Sequence, residues 1–215
     1  MQIRKVMESV CSIIKETGRV ERYRHHEVMI MNNKQLSGPF ILITTKPGKE
    51  KVAYEEALDC IIPIDPNVSR HTTSRRGIVL LKLSSDDKLE KVMKEIQGRI
   101  TSTIFHVIPL DLVAYVSDLK ELSNAVVKVA EKKLKNCTFR VRCKGHFRRL
   151  NVGSARLEAY LGKEILRRLH GRNLKVSLSN PDFVVILYEL DESIGIGVFP
   201  RCMMLRKKTR WDLRD

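Results

Sequence analysis

The most constraining feature of this sequence is the alternation, over residues 37–110, of short apolar runs with segments of helical spacing. Ser37-Gly38-Pro39 interrupts regular structure, and the apolar run at residues 40–45 then predicts a buried strand. Lys46-Pro47-Gly48 forms a turn into a predicted helix at residues 49–61. Four apolar residues mark the inner face of this helix: Val52, Ala53, Ala57 and Ile61. Such alternation favours a domain in which helices pack on a sheet.

A hairpin, a second helix and a strand complete this first unit. The hairpin arms are predicted at residues 68–72 and 78–83, with Ser74-Arg75-Arg76-Gly77 between them. Ser84-Ser85-Asp86-Asp87 supplies a cap and first-turn acids for a helix. That helix has apolar residues at helical spacing, namely Leu89, Val92, Met93 and Ile96, and residues 104–108 close the unit as a strand. The order strand, helix, strand, strand, helix, strand is the ferredoxin-like split βαβ arrangement.

A second unit of helices and strands is predicted after residue 112. A helix from about Leu119 to Leu134 leads into a strand at 139–143, and a second helix occupies residues 154–170. The predicted strands that follow are 175–178, 183–190 and an edge strand at 195–198. The fold class is therefore α/β of the α+β type. Its predicted divisions are an extension with a helix at 3–15 (1–36), a ferredoxin-like domain (37–112), a second domain (113–200) and a basic tail (201–215) that contains Trp211.

Positive charge is concentrated in one stretch of the second unit. Fourteen basic residues lie from Lys132 to Lys175, opposed only by Glu158 and Glu164, so this stretch carries +12 of a net charge of +15. Residues 37–110 are nearly balanced at +2, which predicts that a partner docks mainly on the C-terminal half. A folded surface of this charge density favours a phosphate backbone as its ligand, because binding releases condensed counterions.

The predicted contacts with nucleic acid lie on one loop and the helix that follows it. In the loop, Lys144, His146, Arg148 and Arg149 can reach phosphates, and Phe147 can either stack on a base or fold inward. On the helix, Arg156, Lys163, Arg167 and His170 fall on one face. The arginines at positions 70, 75 and 76 suggest either a second phosphate-contacting hairpin tip or a plain solvated loop.

Three short motifs of the second unit resemble the THUMP domain, an RNA-binding module attached to enzymes of tRNA thiolation, methylation and pseudouridylation. The motifs are Phe139-Arg-Val-Arg-Cys-Lys144, Gly153-Ser-Ala-Arg-Leu-Glu158 and Val176-Ser-Leu-Ser-Asn-Pro-Asp182, followed by Ser193-Ile-Gly-Ile-Gly197. A THUMP protein without a catalytic domain is similar to the adapter that presents tRNA to an RNA cytidine acetyltransferase, which makes N4-acetylcytidine. The resemblance implies that the module binds the single-stranded acceptor end of tRNA. By position it implies contacts from Lys144, His146, Arg148, Arg149, Arg156 and Arg167.

No catalytic, cofactor or metal site is predicted. The five cysteines lack the spacing of a zinc site, and no glycine-rich phosphate-binding motif occurs. Composition is that of a soluble globular protein, with no apolar run of the roughly 20 residues that span a membrane and no secretory signal, so we expect a cytoplasmic protein. Two alternatives remain open: a small RNA-modifying enzyme that uses Cys143 or His146, and a structural ribonucleoprotein subunit with protein contacts at Met203, Met204 and Trp211.

Overall fold

The structure is a computed structural model that describes residues 35–99, 101–203 and 205–206. The predicted helix at 3–15 and most of the basic tail, with Met204 and Trp211, lie outside the described residues. The helices are α1 (Glu50–Ile61), α2 (Leu89–Gly98), α3 (Leu119–Lys133) and α4 (Ser154–Arg168). The strands are β1 (Gln35–Thr44), β2 (Ser69–His71), β3 (Ile78–Lys82), β4 (His106–Ala114), β5 (Thr138–Lys144), β6 (Lys175–Val176), β7 (Phe183–Leu190), β8 (Ser193–Pro200) and β9 (Leu205–Arg206). Within these ranges, no helix has the length and apolar character needed to cross a membrane.

All the described strands belong to one mixed sheet, in the order β2-β3-β1-β4-β8-β7-β5-β6, with β9 paired to β4. The pairs that β5 makes with β6 and β7 are parallel, and the others are antiparallel. The predicted order of elements in the first unit is present, and so is the predicted mixture of helices and strands in the second. The α+β fold class is therefore confirmed.

Three apolar cores hold this sheet and its helices together. The first core lies between α1, α2 and the first strands, and the second lies between α3, α4 and the later strands. Val52, which was predicted on the inner face of α1, is instead 40% exposed, because it lies beside the buried face rather than on it. The third core is formed by the remaining faces of both groups of strands, which pack against each other.

Strand β1 shows how the third core arises. Because successive side chains of a strand point to opposite faces, Ile41 and Ile43 enter the first core while Phe40 and Leu42 enter the third. In β7, Val185 contributes to the second core and Val184 to the third. Strands buried on both faces have continuous apolar sequences instead of alternating ones, which explains the apolar runs that the sequence shows here.

Strand β4 joins the two predicted domains. It was predicted to end at residue 108, but it continues through Pro109 to Ala114, so the predicted boundary between residues 112 and 113 falls inside it. Pro109 pairs with Ile41 of β1. On the other side of β4, the described pairing with β9 involves residues 106–107 and that with β8 residues 112–114. Pro109 lies between these two ladders, so its lack of an N–H costs no hydrogen bond to a neighbouring strand.

Strand β8 is internal, which corrects the prediction of an edge strand at 195–198. It pairs with β7 along its whole length and with β4 through Ile194, Gly195 and Ile196. The glycines permit this close crossing. A Cβ at Gly195 would lie 2.6 Å from the Leu110 Cδ1 atom, and one at Gly197 would overlap the Pro109 carbonyl oxygen.

Asp65 fastens the end of α1 to the start of α2. Its buried carboxylate accepts hydrogen bonds from the Ser84 N–H (2.7 Å), the Ser84 hydroxyl (2.8 Å) and the Lys88 ammonium (3.0 Å). The N-cap of the short 3-10 turn before α2 is Ser85, within the predicted capping segment, although its side chain makes no capping hydrogen bond. Burial alone would raise the Asp65 pKa, but the hydrogen bonds from Ser84 and Lys88 outweigh it and hold the pKa below the ordinary value of 3.8.

Replacing Asp65 with alanine should lower the free energy of unfolding at neutral pH by about 3 kcal/mol, because several charge-assisted hydrogen bonds are lost together. Since folding depresses this pKa, the stabilisation is present above pH 3.8 and is lost as the pH falls below it. Urea denaturation at several pH values should therefore show that D65A lowers the free energy of unfolding less in acid than at neutral pH. The exposed Asp59→Ala on α1 is the control, expected to change stability by less than about 0.5 kcal/mol. If D65A lowers the free energy of unfolding as much in acid as at neutral pH, the stabilising role of the ionised Asp65 carboxylate is contradicted.

Candidate nucleic-acid interface

Residues 144–153, hereafter the basic loop, connect β5 to α4. Near the start of the loop, Gly145 adopts φ +138°, and a Cβ at this position would lie 2.5 Å from the Glu189 Cβ atom. Only glycine allows the backbone to pass so close to β7 in this conformation. The Ser154 hydroxyl donates to the Gly145 carbonyl (2.8 Å), and the Cys143 N–H donates to the Glu158 carboxylate (2.8 Å). The start of α4 therefore holds both the end of β5 and the beginning of the loop.

The buried side chain of Phe147 anchors the basic loop. Its side chain is 1% exposed and packs in the second core, while its backbone adopts a left-handed conformation at φ +48°. The inclusion of Phe147 among the RNA-contacting residues is therefore wrong, because a ring enclosed by apolar neighbours has no face free for a base. Its burial instead fixes the backbone on which the neighbouring cations are placed.

The cations of the basic loop are exposed, as predicted. Lys144, His146, Arg148 and Arg149 all face solvent. The His146 N–H donates to the Glu189 carboxylate (2.9 Å), and an Arg149 Nη1 donor bonds the Glu192 carbonyl (3.0 Å). The side chains of Lys144 and Arg148 have no hydrogen-bond or ion-pair partner among the described residues. The loop thus presents charges that the protein itself does not neutralise.

The outer face of α4 carries Arg156, Lys163 and Arg167, all exposed. The side chains of Arg156 and Lys163 have no hydrogen-bond or ion-pair partner in the described part of the chain. Arg167, in contrast, donates twice to the Glu164 carboxylate (2.9 and 3.0 Å), and this hydrogen bond lowers the Glu164 pKa. Arg167 remains 67% exposed, but its charge is partly compensated. The structure brings Arg156 to the basic loop, while Lys163 lies about 10 Å farther along the helix axis.

Tyr160 is the aromatic residue that the sequence prediction missed on this face. Its position beside the apolar residues Leu157 and Leu161 favours burial, but Tyr160 is 36% exposed. It follows Arg156 by four residues and precedes Lys163 by three, so the three side chains are neighbours on the helix surface. An exposed ring between two cations is the arrangement that base stacking with phosphate contact requires. Its spacing from Arg156 and Lys163 is the signal in the sequence that could have identified it.

Strand β5 exposes Arg142 on the face of the sheet opposite α4. Phe139, Val141 and Cys143 point into the second core, whereas Arg142 and Lys144 on the opposite face are exposed, as the alternation predicts. Arg140, also on that face, is half-buried and donates to the Leu178 carbonyl. Cys143 lies in the core, where burial raises the pKa of its thiol. A protonated, enclosed thiol is a poor nucleophile, so the geometry does not favour the alternative of catalysis at Cys143.

Comparison with known proteins agrees with this architecture. Residues 116–198, from the connection before α3 to β8, match the THUMP domain family. Over 144 residues the chain is 30% identical to the uncharacterized protein MJ1257 of Methanocaldococcus jannaschii, a match that covers 65% of this chain and 39% of that protein. The chain therefore spans well under two thirds of the length of this relative.

Solved structures share the fold at low sequence identity. The protein PH1313 from Pyrococcus horikoshii aligns over 80% of this chain and 56% of its own (TM-score 0.54, 17% identity). A 4-thiouridine synthetase in complex with RNA and ATP aligns over 78% of this chain and 42% of its own (TM-score 0.55, 21% identity). TrmN from Thermus thermophilus aligns over 79% of this chain and 46% of its own (TM-score 0.52, 18% identity). The resemblance that the three sequence motifs indicated is confirmed at the level of the domain: residues 116–198 of this chain form a THUMP domain.

Proposed function

We propose that this protein is a non-catalytic adapter that binds tRNA and presents it to a modification enzyme, an RNA cytidine acetyltransferase that makes N4-acetylcytidine. The observation that carries the proposal is the set of exposed, uncompensated cations that the THUMP domain displays on the basic loop and α4. A rigid surface of this kind suits a polyanion, and the family suits tRNA.

The structural relatives support RNA as the ligand. The 4-thiouridine synthetase that shares this fold was solved in complex with RNA. In the proposal, the acceptor end of tRNA lies along the basic loop. Lys144, Arg148 and Arg149 contact its phosphates, and Tyr160 stacks on an unpaired base between Arg156 and Lys163.

The adapter role separates binding from chemistry. Burial of Cys143 and the raised pKa of its thiol weigh against a nucleophile on the proposed RNA-binding surface. His146 is exposed, and its backbone N–H is used to hold the loop. We therefore assign the chemical step, with its acetyl donor, to the partner enzyme.

Nucleoside analysis of tRNA tests the role. In cells that lack the protein, N4-acetylcytidine should fall to a small fraction of its level, and it should return when the wild-type gene is restored. A gene with Arg148→Glu and Arg149→Glu should not restore it, whereas one with Lys91→Glu and Lys94→Glu on α2 should. Loss of 4-thiouridine or of a methylated nucleoside instead would assign the adapter to another enzyme. Unchanged nucleosides, together with recovery in ribosomal particles, would favour a structural ribonucleoprotein subunit.

A further inference from the structure

Two cation-bearing loops of the first unit are connected to the basic loop through the connection between β7 and β8. We call residues 45–51 the lysine turn, residues 72–77 the arginine loop and residues 189–192 the acidic turn. In the sequence, these segments are separated by up to 147 residues. In the fold, a continuous series of hydrogen bonds links them.

The acidic turn joins the arginine loop to the basic loop. One carboxylate oxygen of Glu189 accepts from the His146 N–H (2.9 Å) and from the Arg75 guanidinium (3.2 Å). The Glu189 side chain is only 15% exposed, so water screens this junction less than it screens a surface pair. Beside it, the Ser74 hydroxyl donates to the Asp191 carboxylate (2.5 Å). The two loops are therefore fixed against each other.

The arginine loop is fastened in turn to the lysine turn at Gly77. The Thr45 N–H donates to the Gly77 carbonyl (2.8 Å), and the Gly77 N–H donates to the Glu50 carboxylate (2.6 Å). This second bond is the largest contribution that lowers the Glu50 pKa. Gly77 adopts φ +76°, and a Cβ there would lie 2.8 Å from the Thr45 carbonyl oxygen, so the junction requires glycine.

The junctions use up carboxylates and leave cations unpaired. Glu50 and Glu189 are engaged in holding the loops. The side chains of Lys46, Lys49 and Arg76 are exposed and have no hydrogen-bond or ion-pair partner among the described residues, although the charge of Arg76 also lowers the Glu50 pKa. The near balance of charge over residues 37–110 therefore conceals a local excess, because many of its acids lie elsewhere or are occupied.

We infer that the lysine turn, the arginine loop and the basic loop form one composite surface that binds the phosphate backbone of a single RNA molecule. The first unit would then contribute directly to RNA binding, contrary to the expectation from the overall charge distribution that the partner docks mainly on the C-terminal half. This inference rests on the proposed function, since it takes RNA as the ligand.

A charge-reversal series tests the composite surface with an unmodified tRNA transcript as the probe. The triple variant Lys46→Glu, Lys49→Glu and Arg76→Glu should weaken binding at least about tenfold, and the log-log salt slope should become shallower by about 2, since each phosphate on unpaired RNA contributes about 0.7. The control Lys91→Glu and Lys94→Glu should change affinity less than about twofold, because the two charges that it reverses lie away from the three loops. Circular dichroism verifies folding. If the triple variant does not fold, the corresponding glutamine variant should still show the shallower slope.

The outcomes separate this inference from the proposed function. If reversal of Arg148 and Arg149 weakens binding while the triple variant, or its glutamine form, binds like the control, the composite surface is overturned and the adapter proposal stands. If the wild-type protein binds tRNA without salt dependence, the proposed function itself fails. If the triple variant and the basic-loop variant both lose affinity and salt sensitivity, all three loops contact one RNA.

Discussion

Replacing Arg148 and Arg149 together with glutamate should weaken tRNA binding by about 100-fold, because two phosphate contacts are lost and two like charges then face the backbone. The loss should be large because the loop cannot rearrange to compensate. The Phe147 side chain anchors the loop in the second core. The Gly145 backbone passes so close to Glu189 that the loop has no room for a different path. Cations on a preorganised loop lose little backbone entropy on binding, so each contributes more to affinity than it would on a flexible tail.

Binding should be titrated over a range of salt concentrations with intact tRNA and with tRNA lacking its single-stranded acceptor end. We expect the salt slope of the variant to be shallower by about 1.4, and the wild-type protein to prefer intact tRNA. The pair Lys91→Glu and Lys94→Glu is the control. Lys88 is unsuitable, because it is 25% exposed and pairs with the buried Asp65, so its reversal would disturb the fold. Equal losses in the control and in the basic-loop variant would reject the proposed face.

Replacing Gly197 with alanine should lower the free energy of unfolding by about 4 kcal/mol or more, which is at the upper end for single substitutions. A methyl group here would overlap the Pro109 carbonyl oxygen and press on the Leu110 Cα atom at 3.2 Å and the Ile186 Cγ2 atom at 3.3 Å. The first two are backbone atoms, so no side chain can rotate away to make room. Strands β4 and β8 would have to separate, which would open the third core.

Gly162→Ala is the matched control for this substitution. Gly162 is also buried, but a Cβ there would meet only the Val141 Cγ2 atom at 4.0 Å, an ordinary contact. Because Gly162 lies inside α4, alanine should stabilise the protein by up to about 1 kcal/mol through helix propensity. Urea denaturation of both variants should therefore show opposite shifts. A Gly197→Ala protein as stable as the wild type would show that the two strands do not cross so closely.

The local sequence pattern was sufficient to predict most of the helices and strands. Spacing of apolar residues placed α1, α3 and β7 within about two residues, and alternation placed Arg142 and Lys144 on the outer face of β5. Patterns of this kind depend on neighbours along the chain. For the same reason, the exposed cations of the basic loop and of α4 were predictable from sequence.

Features that depend on distant contacts were not predictable. The inward direction of Phe147 depends on a core built by α3, α4 and β7, and the internal position of β8 depends on its pairing with β4. The contact of Glu189 with Arg75 joins residues 114 positions apart. No local signal distinguishes a carboxylate that joins two loops from one that is solvated at a turn.

The third core also has a consequence for synthesis on the ribosome. Ser193, the first residue of β8, follows Lys82, the last residue of β3, by 111 residues. Until β7 and β8 have left the exit tunnel, the residues of those strands that cover Phe40, Leu42 and Leu80 in the third core are not available. Uncovered apolar strands are the species that chaperones protect from aggregation, so newly made copies should depend on such protection until translation is nearly complete.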